Sequence, residues 1–331
     1  MRTRKRMQAF GVVFFVLSLA LRCGAQEQQT SGDVPVVRVN VQLVQVDAQV
    51  LEKKTGSPVG GLSKEDFQLL EDGKEQRIAE ASRDQLPLSV VLLFDLTFSV
   101  QPVLKPLAAR ALEALQHLKP EDEVAVMVYA ASAELLQDFT TDREKVVAAI
   151  RKASEMQSGD AAYFNEAVFV ASQQLRKATN PRSRRTLIWF TDNVPNIPGS
   201  KQHSEKEAVR EIYESGTVVF SLLERSAASD FFMVSFSKNP VFAPLRMQNP
   251  PGDVHKYAEH TGGEVMKSSK EEVAAKLARM IDEIRTRYTL AYYPSTQHPK
   301  GTFCQVKVRI RPDTEKRVGK ATIRTKSGYY R

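Results

Sequence analysis

The sequence predicts an α/β protein built on a doubly wound, Rossmann-like and mostly parallel sheet, with β-rich segments at both ends. Three observations lead there. From Leu88 onward, short apolar runs alternate with amphipathic stretches of helical length, the rhythm of a parallel sheet with crossover helices. The run Val90-Val91-Leu92-Leu93-Phe94 is apolar without alternation, as in a strand buried on both faces. It continues into Asp95-Leu96-Thr97-Phe98-Ser99, so a carboxylate and two hydroxyls stand at the carboxyl end of a strand, where open α/β sheets bind ligands.

The chain opens with Arg2, Arg4, Lys5 and Arg6, an apolar stretch from Ala9 to Leu21, and Cys23-Gly24-Ala25 before Gln26. A basic start, an apolar core short for a bilayer span and small residues ahead of a cut describe a secretory signal peptide over 1–25. A membrane anchor is the rival reading, and Arg22 argues against lipid attachment at Cys23. The expected product is exported, periplasmic or secreted, and meets a membrane only through export. The full chain has 47 basic and 39 acidic residues, a net charge of +8. The signal segment holds five of the basic ones and no acidic ones, which leaves +3 and no case for nucleic acid. Cleavage leaves Cys304 as the remaining cysteine, so internal disulfides are excluded. Cys304 alternates in phase with Val306, Val308 and Ile310, which predicts a buried thiol on the apolar face of a strand.

Residues 26–35 read as a polar, flexible lead-in and 36–86 as a small β-rich unit. In that unit Val37, Val39, Val41 and Leu43 alternate with polar residues. The phase then shifts to Val44, Val46, Ala48 and Val50. Ser63-Lys64-Glu65-Asp66 predicts one capped helical turn, and Glu71-Asp72-Gly73-Lys74 predicts a hairpin. The α/β core is expected over 87–287. Its strands are predicted at 88–94, 123–130, 185–191, 217–223 and 263–266. Its helices are predicted at 103–118, 141–153, 163–178, 203–215, 253–261 and 270–286, with Thr141 to Glu144 as a capping box. Residues 225–250, rich in Phe and Pro, break the rhythm as an insertion. The extension 288–331 returns to alternating strands, which could pair with the N-terminal unit.

Asp95, Thr97 and Ser99 form a hard-oxygen set suited to Mg²⁺ or Mn²⁺. The plainer reading is a strand-end Asp with hydroxyls serving local backbone. A phosphatase of the strand-Asp-x-Asp type needs a second carboxylate where Thr97 stands, so acid–base chemistry lacks its group. Nucleophile-elbow and phosphate-loop motifs are absent, and His117, His203, His255, His260 and His298 show no zinc spacing. The expectation is therefore a protein without enzymatic activity. Arg182, Arg184 and Arg185 read as a solvated loop ahead of a strand, with an anion patch as the rival.

Asp95, Thr97 and Ser99 resemble the D-x-S-x-S signature of the von Willebrand factor type A domain, with Thr at the middle position. Leu187 to Asn193 resembles the family's later strand ending in Asp, which implies Asp192 as a site residue. Gly159 to Ala167 resembles its G-x-T-x-L-x-x-A loop, but Ala162 stands where the family has a Thr ligand. The resemblance implies a metal-ion-dependent adhesion site of Asp95, Thr97, Ser99 and Asp192; without the Thr hydroxyl, metal binding is weakened, supplied by Asp160 instead, or lost. A partner's acidic side chain would complete the shell of the ion. Leu62, Asp66, Phe67, Glu71 to Lys74, Thr261-Gly262-Gly263, Arg287 to Pro294 and Gly328-Tyr329-Tyr330 extend the likeness. Together they resemble the exported type A-related proteins of Acidobacteria and similar bacteria. The implied role is recognition of a protein or cell-surface partner; a metal-free scaffold on the same fold is the alternative.

Overall fold

The computed structural model describes residues 43–83, 86–97, 100–159, 162–194, 202–224 and 253–331. The signal segment, the lead-in, Ser99, Asp160 and the 225–250 insertion lie outside the described residues.

The first strand, β1 (Val44–Glu52), buries Val46, Ala48 and Val50, the second of the two phases in the sequence. A 3₁₀ turn (Lys64–Asp66) follows, closed by reciprocal bonds between Ser63 and Asp66. Next come β2 (Phe67–Glu71), β3 (Lys74–Gln76) and β4 (Ile78–Arg83). The β2–β3 hairpin turns on Asp72 and Gly73, both at positive φ, as a two-residue loop demands.

The core then runs β5 (Leu88–Asp95), α1 (Gln101–Leu115), β6 (Glu123–Tyr129), β7 (Ala133–Thr140), α2 (Arg143–Glu155) and α3 (Phe164–Arg176). It continues with β8 (Arg184–Thr191), α4 (Glu205–Ser215), β9 (Val218–Glu224), α5 (Val254–Thr261), β10 (Val265–Ser268) and α6 (Val273–Arg285). Six strands form one sheet in the order β10-β9-β8-β5-β6-β7, parallel except where β7 pairs antiparallel with β6. Val90, Leu92 and Phe94 face one layer, packed with α1, α2 and α6. Val91 and Leu93 face the other, packed with α3, α4 and α5. Covering both faces is what lets β5 be apolar along its length. Among the described residues no helix is long and apolar enough to cross a membrane.

The tail supplies β11 (Tyr288–Tyr292), β12 (Phe303–Ile310), α7 (Pro312–Val318), β13 (Ala321–Thr325) and β14 (Gly328–Tyr330). These strands pair with the N-terminal ones in two four-stranded sheets, β13-β1-β11-β4 and β14-β12-β2-β3. Val46, Val50, Phe67, Leu69, Tyr288, Leu290, Val306 and Val308 share one apolar core there.

Three expectations change. The strand β7 and the helix α7 were not predicted: β7 is a half-exposed edge with little alternation, and α7 is short and charged. The cap of α2 is Asp142 rather than a box at Thr141, its side chain accepting from the amides of Glu144 and Lys145. Arg184 is buried rather than solvated. Its Nε lies 3.2 Å from Asp47 Oδ2, and its guanidinium donates to the Ile284 carbonyl. Burial works against the charge of Asp47, yet Arg184 and Arg287 hold its carboxyl below the usual range.

Close approach explains the Thr261-Gly262-Gly263 triplet. Gly262 ends α5 in the left-handed region, and a Cβ there would lie 2.4 Å from the Thr325 backbone. A Cβ on Gly263 would lie 1.8 Å from the Val219 carbonyl oxygen. The Gly262 carbonyl accepts from Arg287, a fully buried guanidinium that burial lowers to a pKa of about 10.

Candidate functional site

The parallel strands β5, β8 and β9 end on one edge of the sheet, and each delivers a carboxylate at or just past its last residue. These are Asp95, Asp192 and Glu224. Asp95 is fully buried. Its Oδ1 accepts from the Thr97 amide at 2.8 Å and the Thr97 hydroxyl at 2.7 Å. Its Oδ2 accepts from the Tyr129 hydroxyl at 2.8 Å and the Thr191 hydroxyl at 2.9 Å. Tyr129 in turn accepts from the indole nitrogen of Trp189 at 2.9 Å. An ionised carboxylate has about four acceptor positions, and protein donors occupy four here.

The network follows from strand register. Asp95 and Tyr129 are direct partners across β5 and β6, so the phenol at the end of one strand reaches the carboxylate at the end of the other. Trp189, Tyr129 and Phe164 meet edge to face, with centroids 5.1 to 6.1 Å apart. Burial raises the pKa of Asp95 to about 6, and the nearby charge of Asp192 adds to it, against the hydrogen bonds from Thr97 and Tyr129. Burial, and then the charge of Asp95, keep Tyr129 protonated.

Asp192 is buried, and its Oδ1 accepts from the Val194 amide at 3.0 Å. Burial also raises Glu224, opposed by Lys270 and reinforced by Glu271 and Asp192. Glu224, Tyr129 and Thr191 were not picked out as site residues from the sequence. The signal for Glu224 was available, since it ends the apolar run of β9 as Asp95 ends that of β5. Asn193, at positive φ, bonds to Asp253 and to the Val254 amide, so it ties this loop to the start of α5.

The loop before α3 is held against the strand end. Thr97 bridges Gly159, the Gly159 amide donates to the Leu96 carbonyl, and Ser158 and the Met156 carbonyl bond to Gln101. Ala162 is buried in the apolar cluster that holds Tyr129, Phe164 and Trp189. The structure thus brings Asp95, Thr97 and Asp192 to one edge and puts a methyl group at Ala162.

This strand order, with an Asp-bearing strand at its centre, is that of the von Willebrand factor type A fold. Residues 90–194 match the family model of the von Willebrand factor type A domain. No curated protein matches the chain in sequence. Among solved structures, the chain is similar to the protein BatB from Bacteroides thetaiotaomicron at 14% identity. That likeness covers 60% of this chain and 98% of that one, with a TM-score of 0.40. It is also similar to a von Willebrand factor type A protein from Catenulispora acidiphila, at 11% identity over 88% and 74% of the two chains, with a TM-score of 0.42. The PilB minor pilin from Streptococcus sanguinis matches at 10% identity over 61% and 62%, with a TM-score of 0.41.

Type A domains often hold a divalent ion at this edge. The described residues do not fit an ion bound directly by Asp95, because its oxygens already accept four protein hydrogen bonds and Ala162 offers no hydroxyl.

Proposed function

We propose that the chain is an exported recognition protein that binds a protein or cell-surface partner at the rim of the central sheet without needing a divalent ion, and that it catalyses no reaction. The observation that carries the metal-free reading is the closed set of donors around Asp95. That carboxylate fixes the ends of β5, β6 and β8 relative to one another, and the loops they support present the rim. Export rests on the features of residues 1–25.

A second reading has its own observation. Burial raises the Asp95 carboxyl and the charge of Asp192 adds to it, and a Mg²⁺ or Mn²⁺ ion would offset the charge of both. Thr97 and Asp192 would hold the ion, with Ser99 and Asp160 completing the set named from the sequence.

Calorimetric titration of both ions into the purified protein, with Asp95→Ala as control, separates the two. Heat without saturation in either protein is the result expected here. Saturable binding that the variant loses would replace the first reading with the second. Recognition at the rim is tested by partner capture with wild type and Glu224→Lys. Capture should weaken in the variant and persist in chelator; equal capture by both would move the surface elsewhere.

A further inference from the structure

A second group of ligating side chains lies in the β-rich flank, away from the edge of the central sheet. Glu71 is the last residue of β2 and Asp72 begins the turn to β3. Cys304 is the second residue of β12, and His298 comes from the loop between β11 and β12. One ligand atom from each of the four lies within 4.8 Å of the others. His298 Nε2 is 3.2 Å from Asp72 Oδ2.

The surroundings support both carboxylates and leave one oxygen of Glu71 unserved. Glu71 is 2% exposed. Its Oε2 accepts from the hydroxyls of Tyr292 at 2.5 Å and Tyr329 at 2.8 Å. Its Oε1 is buried and has no hydrogen-bond partner. A buried carboxylate oxygen left this way is costly unless a cation serves it. Asp72 Oδ1 accepts from the Gln305 amide at 2.9 Å, which leaves Oδ2 on the side of His298. Each acid therefore has one oxygen held by protein donors, the second layer of bonds that orients metal ligands. The loop that carries His298 is pinned by Arg331, whose amide donates to the Thr302 carbonyl and whose guanidinium donates to the Thr296 carbonyl.

From this geometry we propose that Glu71, Asp72, His298 and Cys304 form a structural Zn²⁺ site. The donor set decides the metal. A thiolate and an imidazole beside two carboxylates suit borderline-soft Zn²⁺, whereas Mg²⁺ and Ca²⁺ take oxygen alone. Tetrahedral Zn²⁺ with bonds of about 2.0 to 2.3 Å sets its ligand atoms roughly 3.5 Å apart, which small side-chain rotations reach from the present spacing. The ion would clip the β2–β3 turn to β12 and to the loop before it. The site is independent of the reading of the central sheet edge.

The test is dialysis of the full chain against Zn²⁺, followed by elemental analysis and a cobalt-loaded absorption spectrum. The wild type should keep one equivalent of zinc and, with Co²⁺, show a thiolate-to-metal absorption band. His298→Ala and Cys304→Ser should each lower zinc affinity at least tenfold, Cys304→Ser should lose the band, and Asp95→Ala should keep both properties. His298 lies on a surface loop, so its variant reports on the site even where the thiol variant folds poorly. A folded wild type that keeps no zinc would overturn the proposal. So would retention undiminished in both ligand variants, or loss confined to Asp95→Ala.

Discussion

Asp95 is a buried acid whose proton affinity rises on folding, and this gives stability a definite pH dependence. Its folded pKa of about 6 lies above the unfolded value of 3.8. Between those values the native state keeps a proton that the unfolded chain releases, so this group's contribution falls as pH rises and levels off above about 6. The full change is about 3 kcal/mol. Unfolding of wild type and Asp95→Asn measured from pH 4 to pH 7 should show the wild type losing ground by that order; parallel curves would refute it. Tyr129→Phe removes one donor from Asp95 and the acceptor of Trp189 Nε1, and should cost about 1 to 3 kcal/mol in denaturant unfolding. This network was not legible in the sequence. Asp95 could be singled out because it ends an apolar run, but Tyr129 looks like the last residue of an ordinary strand until register sets it opposite.

Elements buried on both faces could be read from the sequence, and elements at the margins could not. The strands β5, β6, β8 and β9 are apolar almost throughout because helices cover both sides of the sheet, so their positions were predicted within a residue or so. By contrast β7 is Ala-Glu-Leu-Leu-Gln-Asp-Phe-Thr, an edge whose pattern matches neither period because a register shift interrupts its pairing with β6. Spacing also hid the group around Glu71, since His298 and Cys304 are more than two hundred residues from it and only the paired sheets bring them together. Glycine placement, on the other hand, has a direct test. Gly263→Ala would drive a methyl group into the Val219 carbonyl at the start of β9, where backbone rather than a flexible side chain must yield. A loss of about 4 kcal/mol or insoluble expression is expected, and a variant of wild-type melting temperature would show that the two elements can separate.

At the scale of the whole molecule, the N-terminal strands and the tail build each other's sheets. β1 lies between β11 and β13, and β2 lies between β3 and β12. Deleting residues 320–331 removes β13 and β14 and leaves one edge of β1 and one of β12 unpaired. Hydrogen exchange should then quicken along Val44–Glu52 while β5 and β8 stay protected; unchanged exchange in β1 would mean that the flank does not need its last strands. Arg287 and Arg184 sit where flank and central sheet meet, so Arg287→Met should lower the stability of both parts by about 3 kcal/mol in one transition.

The interleaved pairing also sets an order of events during synthesis. Residues 44–83 precede most of their partners, which lie in 288–330 beyond the whole central sheet, so this segment is completed only after they are made. Its apolar face must wait through the synthesis of the entire central sheet, and closing so long a loop slows folding even where the finished contacts are strong. A chain broken off before residue 303 would keep Val46, Ala48, Val50, Phe67 and Leu69 without their full cover, and sticky strand edges of that kind are what quality-control proteases and chaperones recognise. The flank therefore closes fully only when strands from both ends of the described fold are present.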